Sequence, residues 1–123
     1  MLLNDFFEIT ETNSSGGKII STIRLNSGHG IYSGHFPGNP ITPGVVQVQM
    51  VKEILEYTYK KDLRLISMSR CKFLKILNPN ETPFVTIEIF APENPLQISA
   101  LGMGKENTYF KFSAVFSDEL NAN

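Results

Sequence analysis

Residues 34–59 read GHFPGNPITPGVVQVQMVKEILEYTY, and this stretch decides the fold. Thr42 can cap a helix with its hydroxyl, and Pro43 suits the first helical position because its missing N–H would be unpaired there anyway. No glycine or proline interrupts residues 45–59. Their large apolar side chains recur at helical spacing, and these are Met50, Val51, Ile54 and Leu55. We therefore predict a buried helix over Val45–Tyr59, with a strand over residues 45–51 as the alternative.

The rest of the chain has the patterns of strands. A glycine-containing turn over residues 13–17 predicts a hairpin at the start, because glycine supplies the positive φ angles of turns. In the last strand apolar and polar side chains alternate, as in a sheet with one covered face, and Phe110, Phe112 and Phe116 are expected in the core. Residues 26–42 contain four glycines and two prolines and predict a structured loop without a regular element. The predicted strands cover residues 6–12, 18–25, 63–77, 84–91, 96–101 and 107–116.

A single buried helix has to pack against a broad apolar surface. The only candidate is the antiparallel sheet that the other elements form. We therefore predict an α+β fold in which an antiparallel β-sheet wraps around one long central helix. The 123 residues are expected to form a single domain over residues 1–123.

Composition excludes several classes of function. The net charge of −1 lacks the basic surplus that a nucleic-acid partner usually requires, and no apolar stretch approaches the roughly 20 residues of a membrane helix. The start, MLLNDFFEITET, has no features of a secretory signal. Cys71 is the single cysteine, so no intramolecular disulfide can form, and a cytoplasmic location is expected. The two histidines and the cysteine are not at metal-ligand spacing, so no metal is expected.

The most informative segment is GHFPGNPITPGV, residues 34–45. It resembles the signature of the hotdog-fold β-hydroxyacyl-(acyl carrier protein) dehydratases, in which a glycine-histidine-phenylalanine-proline run precedes the proline-glycine-valine that opens the central helix. The spacing matches without gaps. Lys72-Phe73 and Pro79-Asn80-Glu81 resemble two later motifs of the family less closely. The resemblance covers about residues 18–116 and implies a hotdog fold.

The resemblance also implies a mechanism. The substrate would be a 3-hydroxyacyl thioester on the phosphopantetheine arm of an acyl carrier protein, and elimination of water would give a trans-2-enoyl thioester without a bound cofactor. The resemblance assigns proton abstraction at C2 to His35 and binding of the thioester oxygen to the amide of Gly44, with substrate contacts from Phe36, Pro37 and Val45. General chemistry agrees, since histidine is the natural base near pH 7 and free helix amides stabilise an oxyanion.

The chain departs from the family pattern at the acid. The family's acidic residue lies six positions after the proline that opens the helix, and here that position is Gln49, which has no dissociable proton. Glu53 lies one turn later, where the family often has glutamine. Residues four apart share a helix face at about 6 Å, so Glu53 is predicted to act through a water or through Gln49. The alternatives are a chain that has kept thioester binding but lost dehydration, or one that pairs with a competent second subunit.

The implied function is therefore a dehydratase in fatty-acid or polyketide-type synthesis. The alternative is a catalytically impaired, acyl-thioester-binding subunit of a heteromeric dehydratase; a hotdog thioesterase ranks last because that branch lacks the signature. In the family, the histidine and the helix residue of one site come from different protomers, so a homodimer or higher homo-oligomer is expected, with a heterodimer as the alternative.

Other polar residues have less specific patterns. Arg70, Lys72 and Lys75 either contact an acidic carrier protein or form a solvated strand face. His29 has no motif and is expected to be an ordinary loop residue. Cys71 is expected to be a small core residue.

Overall fold

The computed structural model describes residues 1–33, 38–92 and 96–118. In these ranges the strands form one antiparallel sheet in the order β1-β2-β4-β5-β6-β3. The strand that follows the long helix, β3, therefore lies at the edge opposite β1. No helix in the described ranges is long and apolar enough to cross a membrane. The elements are β1 (Phe7–Ser15), β2 (Lys18–Leu25), α1 (Gly30–Ser33), α2 (Gly44–Tyr59), β3 (Arg64–Phe73), β4 (Phe84–Phe90), β5 (Gln97–Met103) and β6 (Thr108–Ser117).

One face of the sheet and the apolar side of α2 form a common core. In β4 the alternating side chains of Val85, Ile87 and Ile89 are fully enclosed. They belong to the same buried cluster as the apolar residues of α2, which are Met50, Val51, Ile54 and Leu55. The prediction that Phe110, Phe112 and Phe116 of β6 lie in the core is confirmed, because all three are buried. The antiparallel sheet around a long helix is thus the architecture that the sequence pattern predicts.

The start of α2 differs from the prediction in its capping. The helix begins at Gly44, and Pro43 occupies the N-cap position in an extended conformation without a side-chain capping hydrogen bond. Capping by Thr42 is therefore wrong, because Thr42 lies one residue too early to reach the amides of the first turn. Its hydroxyl instead forms a 2.8 Å hydrogen bond with the hydroxyl of Tyr32, and its carbonyl accepts one from Nε2 of Gln47 at 2.9 Å.

Three other boundaries also need correction. β1 continues to Ser15, which shortens the turn to Gly16 and Gly17, and their φ angles of 60° and 77° suit a two-residue hairpin turn. The loop over residues 26–42 contains the one-turn helix α1. β3 ends at Phe73 rather than Leu77, because the chain there leaves the sheet edge and the carbonyl of Leu77 accepts a hydrogen bond from the amide of Thr42 at 2.9 Å.

Candidate active site

The start of α2 opens onto a groove of about 330 Å³. Its other wall is the segment over residues 73–77. In the first turn the amides of Val46 and Gln47 bond to the carbonyl of Pro43 at 3.0 and 3.1 Å. The amides of Gly44 and Val45 have no acceptor in the described part of the chain, as is usual for the first residues of a helix. Gly44 lines the groove, so a free helix amide and the positive end of the helix dipole lie at a site suited to a carbonyl oxygen that gains negative charge.

The glycine at the start of α2 is required by a neighbouring aromatic ring. A Cβ atom at position 44 would lie 2.6 Å from Cζ of Phe73, which is far below van der Waals contact. Phe73 is the last residue of β3 and its side chain is 49% exposed, so the ring borders the groove. In the sequence, Phe73 stands out only as part of a later motif, and nothing there assigns it to the site.

The predicted substrate residue Val45 projects away from the core. Its side chain is 76% exposed, which is unusual for a valine. An apolar residue beside two free amides is available to contact an apolar ligand or a second chain. His35, Phe36 and Pro37 lie outside the described residues, so their roles stay predictions from the motif.

A buried hydrogen bond joins α1 to the last part of the signature segment. The hydroxyl of Tyr32, which precedes the signature, bonds to that of Thr42 at 2.8 Å. The Tyr32 ring stacks obliquely on Phe6 with ring centroids 5.2 Å apart. Burial raises the pKa of Tyr32 to about 12, an effect that the bond to Thr42 offsets only in part. Tyr32 is therefore neutral, and its hydrogen bond holds α1 against the residues that precede α2. No motif in the sequence indicated this role.

Gln49 and Glu53 are brought together, as the helical spacing predicted. Nε2 of Gln49 donates to Oε2 of Glu53 at 2.8 Å. Oε1 of Glu53 also accepts hydrogen bonds from the amides of Leu2 at 2.9 Å and Leu3 at 2.8 Å, and the amide of Leu2 lies 3.0 Å from Oε2. Gln49 itself is only half-buried.

The environment of Glu53 revises its interpretation. Its side chain is completely enclosed within the chain. Both carboxylate oxygens are occupied by N–H donors, which favours a role in anchoring the N-terminal residues over proton transfer to a substrate. On the same helix, Lys52 and Glu56 form an ion pair at 3.1 Å.

His29 and Cys71 have structural environments. Nδ1 of His29 accepts a hydrogen bond from the amide of Ile31 at 3.0 Å, so Nε2 carries the proton and donates to Asp5 at 3.0 Å. The ring packs edge-on against Phe6. Cys71 is half-buried against the core. His29 is therefore a loop residue as predicted, whereas Cys71 packs against the core without being enclosed in it.

The basic residues considered for a carrier protein lie on two surfaces. Arg70 and Lys72 line a cavity of about 610 Å³, together with Lys111. Lys75 lines the groove at the start of α2. Only Lys75 is therefore adjacent to the candidate site.

Comparison with known proteins identifies the family of this chain. The ApeI-like family, described as ApeI dehydratase, matches residues 10–113. Among curated proteins, the chain is 28% identical to the 3-hydroxyacyl-(acyl-carrier-protein) dehydratase FabZ of Rickettsia felis, over 69% of this chain and 61% of that protein. It is 23% identical to the FabZ of Caldicellulosiruptor saccharolyticus, over 98% of this chain and 84% of that protein. The chain thus spans about three fifths of the length of the Rickettsia felis relative.

Solved structures share the fold. The dehydratase heterocomplex ApeI:P from Xenorhabdus doucetiae contains a chain that superimposes with a TM-score of 0.74 at 17% identity, covering 88% of this chain and 95% of that one. An uncharacterized protein from Erwinia carotovora subsp. atroseptica gives a TM-score of 0.61 at 14% identity, over 88% of this chain and 90% of that one. The chain has a hotdog fold and belongs to the ApeI-like dehydratase family.

Proposed function

We propose that this chain binds 3-hydroxyacyl thioesters at the start of α2 and takes part in their dehydration to trans-2-enoyl thioesters. The observation that carries the proposal is the pair of unpaired amides, Gly44 and Val45, at the first turn of a 16-residue helix whose first residue, Gly44, lines a groove. Fixed N–H donors of this kind stabilise the enolate-like charge that develops on the thioester oxygen when the C2 proton leaves.

The reaction needs a base and an acid as well as these donors. In the proposed mechanism, His35 removes the C2 proton, and the electron pair forms the C2–C3 double bond while the C3–O bond breaks. The departing hydroxide takes a proton from a solvent water or from a carboxyl group of a second chain, and leaves as water. His35 is the group with a suitable proton affinity near neutral pH. A proton donor for the hydroxide is the part that Gln49 cannot supply.

The helix geometry favours a site built from two chains. Gly44 and Gln49 are five residues apart, which corresponds to a rotation of about 140° around the helix axis. Within one helix the side chain at position 49 therefore lies on a different side from position 44. In a dimer, however, the amide of Gly44 from one chain and the side chain at position 49 from the other can face a shared thioester.

The two edges of the sheet differ in a way that supports pairing through β3. The free edge strand β1 carries polar residues over its exposed part, as in Thr10–Asn13. β3 instead exposes large apolar side chains, with Leu65 at 38%, Ile66 at 51% and Met68 at 41%. Long apolar edge strands are usually protected by pairing with another chain. We propose that a second chain, identical or related, covers β3.

A second candidate function is that of a binding subunit in a heteromeric dehydratase. Gln49 favours this candidate because a homodimer would carry glutamine at both sites. A related partner with a carboxylate at the corresponding position would complete the site that contains Gly44 and His35 of this chain. The partner would then provide the proton and this chain the oxyanion donors and the base.

The thioester carrier and the cellular location are further parts of the proposal. We propose that an acyl carrier protein presents the substrate on its phosphopantetheine arm and that the chain itself binds no cofactor. Lys75 at the groove is the described cation best placed to contact an acidic carrier. The single cysteine supports a reducing, cytoplasmic location.

The proposal predicts hydration of crotonyl-pantetheine that depends on His35. The purified chain is expected to hydrate this thioester slowly, and His35→Ala is expected to lower the rate by about 10²-fold because a positioned base contributes 10² to 10⁴. Loss of the enoyl absorbance measures the rate. His29→Gln serves as the matched control, because it removes the other imidazole and should retain the rate.

The outcomes separate the two candidates. A wild-type chain that binds butyryl-pantetheine but hydrates nothing until a carboxylate-bearing partner is added would favour the binding subunit. Equal and measurable rates for wild type and His35→Ala, with or without the partner, or no binding of any thioester, would contradict the proposed function.

A further inference from the structure

The hydrogen bond between Gln49 and Glu53 has a fixed direction. The other partners of the Glu53 carboxyl oxygens are the backbone amides of Leu2 and Leu3, which can only donate, so both oxygens act as acceptors. Gln49 completes this set by donating from Nε2 at 2.8 Å. The amide group of Gln49 is therefore oriented by Glu53, with its Oε1 atom on the side away from the carboxylate.

The Oε1 atom of Gln49 is open to a ligand. Among residues 1–33, 38–92 and 96–118 no donor bonds to it. It is also absent from the enclosed side-chain atoms without a partner in these ranges, which are Oε1 of Gln47 and Oγ1 of Thr58. Gln49 is only half-buried, which leaves part of the residue accessible to a ligand.

From this orientation we infer that Gln49 is an acceptor that selects thioesters with a hydroxyl on C3, and that Glu53 is the positioning residue that makes it an acceptor. This inference rests on the proposed function. A 3-hydroxyl group can donate to Oε1 of Gln49. A 3-oxo group has only acceptor atoms at C3, so its oxygen would face another oxygen and both would lose their water hydrogen bonds without compensation.

The substitution Glu53→Gln would make Gln49 present a donor instead of an acceptor to the ligand, although residue 53 itself does not contact the ligand. Its carbonyl oxygen can accept from the amides of Leu2 and Leu3, as Oε1 of Glu53 does now. Its NH₂ group would then face Gln49 in place of the present acceptor. Gln49 has to turn its own carbonyl toward that donor, and its Nε2 becomes the atom available to a ligand.

The test is a comparison of three ligands that differ only at C3. Binding of butyryl-, 3-hydroxybutyryl- and 3-oxobutyryl-pantetheine is measured by calorimetry on the full chain. The wild type is expected to bind the 3-hydroxy compound about tenfold more tightly than the 3-oxo compound, which corresponds to one hydrogen bond. Glu53→Gln is expected to remove this preference, because Nε2 of Gln49 can donate to either oxygen, and Gln49→Leu is expected to remove it as well.

Binding of butyryl-pantetheine distinguishes a failure of this inference from a failure of the proposed function. Equal binding of butyryl-pantetheine by wild type, Glu53→Gln and Gln49→Leu shows that the thioester site is intact in each variant. With that control satisfied, an unchanged preference in Glu53→Gln, or no preference in the wild type, overturns the inference and leaves the proposed function standing. A wild type that binds none of the three compounds overturns the proposed function and this inference with it.

Discussion

Exchange of the two helix residues, Gln49→Glu combined with Glu53→Gln, is expected to raise the rate of crotonyl-pantetheine hydration by about 10² to 10⁴, the usual contribution of general acid–base catalysis. The exchange places a carboxyl group at the helix position where the resemblance puts the family's acid. It also keeps an acceptor for the amides of Leu2 and Leu3 and a hydrogen bond between positions 49 and 53, and it loses only the second contact of the Leu2 amide, the one at 3.0 Å to Oε2. The carbonyl of glutamine at position 53 would accept from Leu2 and Leu3, and its NH₂ group would donate to the carboxylate at position 49.

The single variants provide the matched controls for this exchange. Glu53→Gln alone adds no acid and is expected to give no increase in rate. Gln49→Glu alone joins two carboxyl groups across what is now a 2.8 Å hydrogen bond, and they would have to share a proton. If the double variant binds butyryl-pantetheine but is no faster than the wild type, the missing acid is not what limits the reaction.

Replacement of Glu53 by leucine is expected to lower the free energy of unfolding by about 3 kcal/mol. The change removes the hydrogen bonds that the enclosed carboxylate makes to Leu2, Leu3 and Gln49. Hydrogen bonds to charged groups contribute about 1.5–3 kcal/mol each, and burial of the leucine side chain offsets part of their loss. Urea denaturation followed by circular dichroism measures the difference.

Two controls test whether the loss comes from this network. Glu53→Gln retains an acceptor for the backbone amides and is expected to cost about 1 kcal/mol. Glu8→Gln changes a glutamate in the exposed pair with Arg24 and is expected to cost less, since surface ion pairs contribute little. A Glu53→Leu variant as stable as the wild type would show that the carboxylate does not anchor the N-terminal residues.

The parts of the fold that could be predicted depend on local periodicity. The apolar residues of α2 recur at helical spacing, and the helix observed at Gly44–Tyr59 starts only one residue before the predicted one. Alternation likewise placed Phe110, Phe112 and Phe116 in the core, and all three are buried. Such patterns arise because one side of each element is covered, which sequence spacing alone can reveal.

The parts that could not be predicted depend on contacts between distant residues. Glu53 is buried because backbone amides about 50 positions earlier in the chain bind it, and backbone groups leave no trace in a side-chain pattern. The contact of Phe73 with Gly44 and the end of β3 depend in the same way on how the chain leaves the sheet edge. Thr42 fits a capping pattern, but its hydroxyl bonds to Tyr32, whose position depends on the packing of α1.

The amide resonances of Gly44 and Val45 provide the most direct test that a thioester carbonyl binds at the first turn of α2. Uniformly ¹⁵N-labelled protein would be titrated with butyryl-pantetheine and followed by two-dimensional NMR. We expect these two resonances to move downfield with saturation, since their N–H groups gain an acceptor. The account would be contradicted if the resonances of Gly44 and Val45 did not move and saturable shifts were confined to residues of the cavity lined by Arg70 and Lys111.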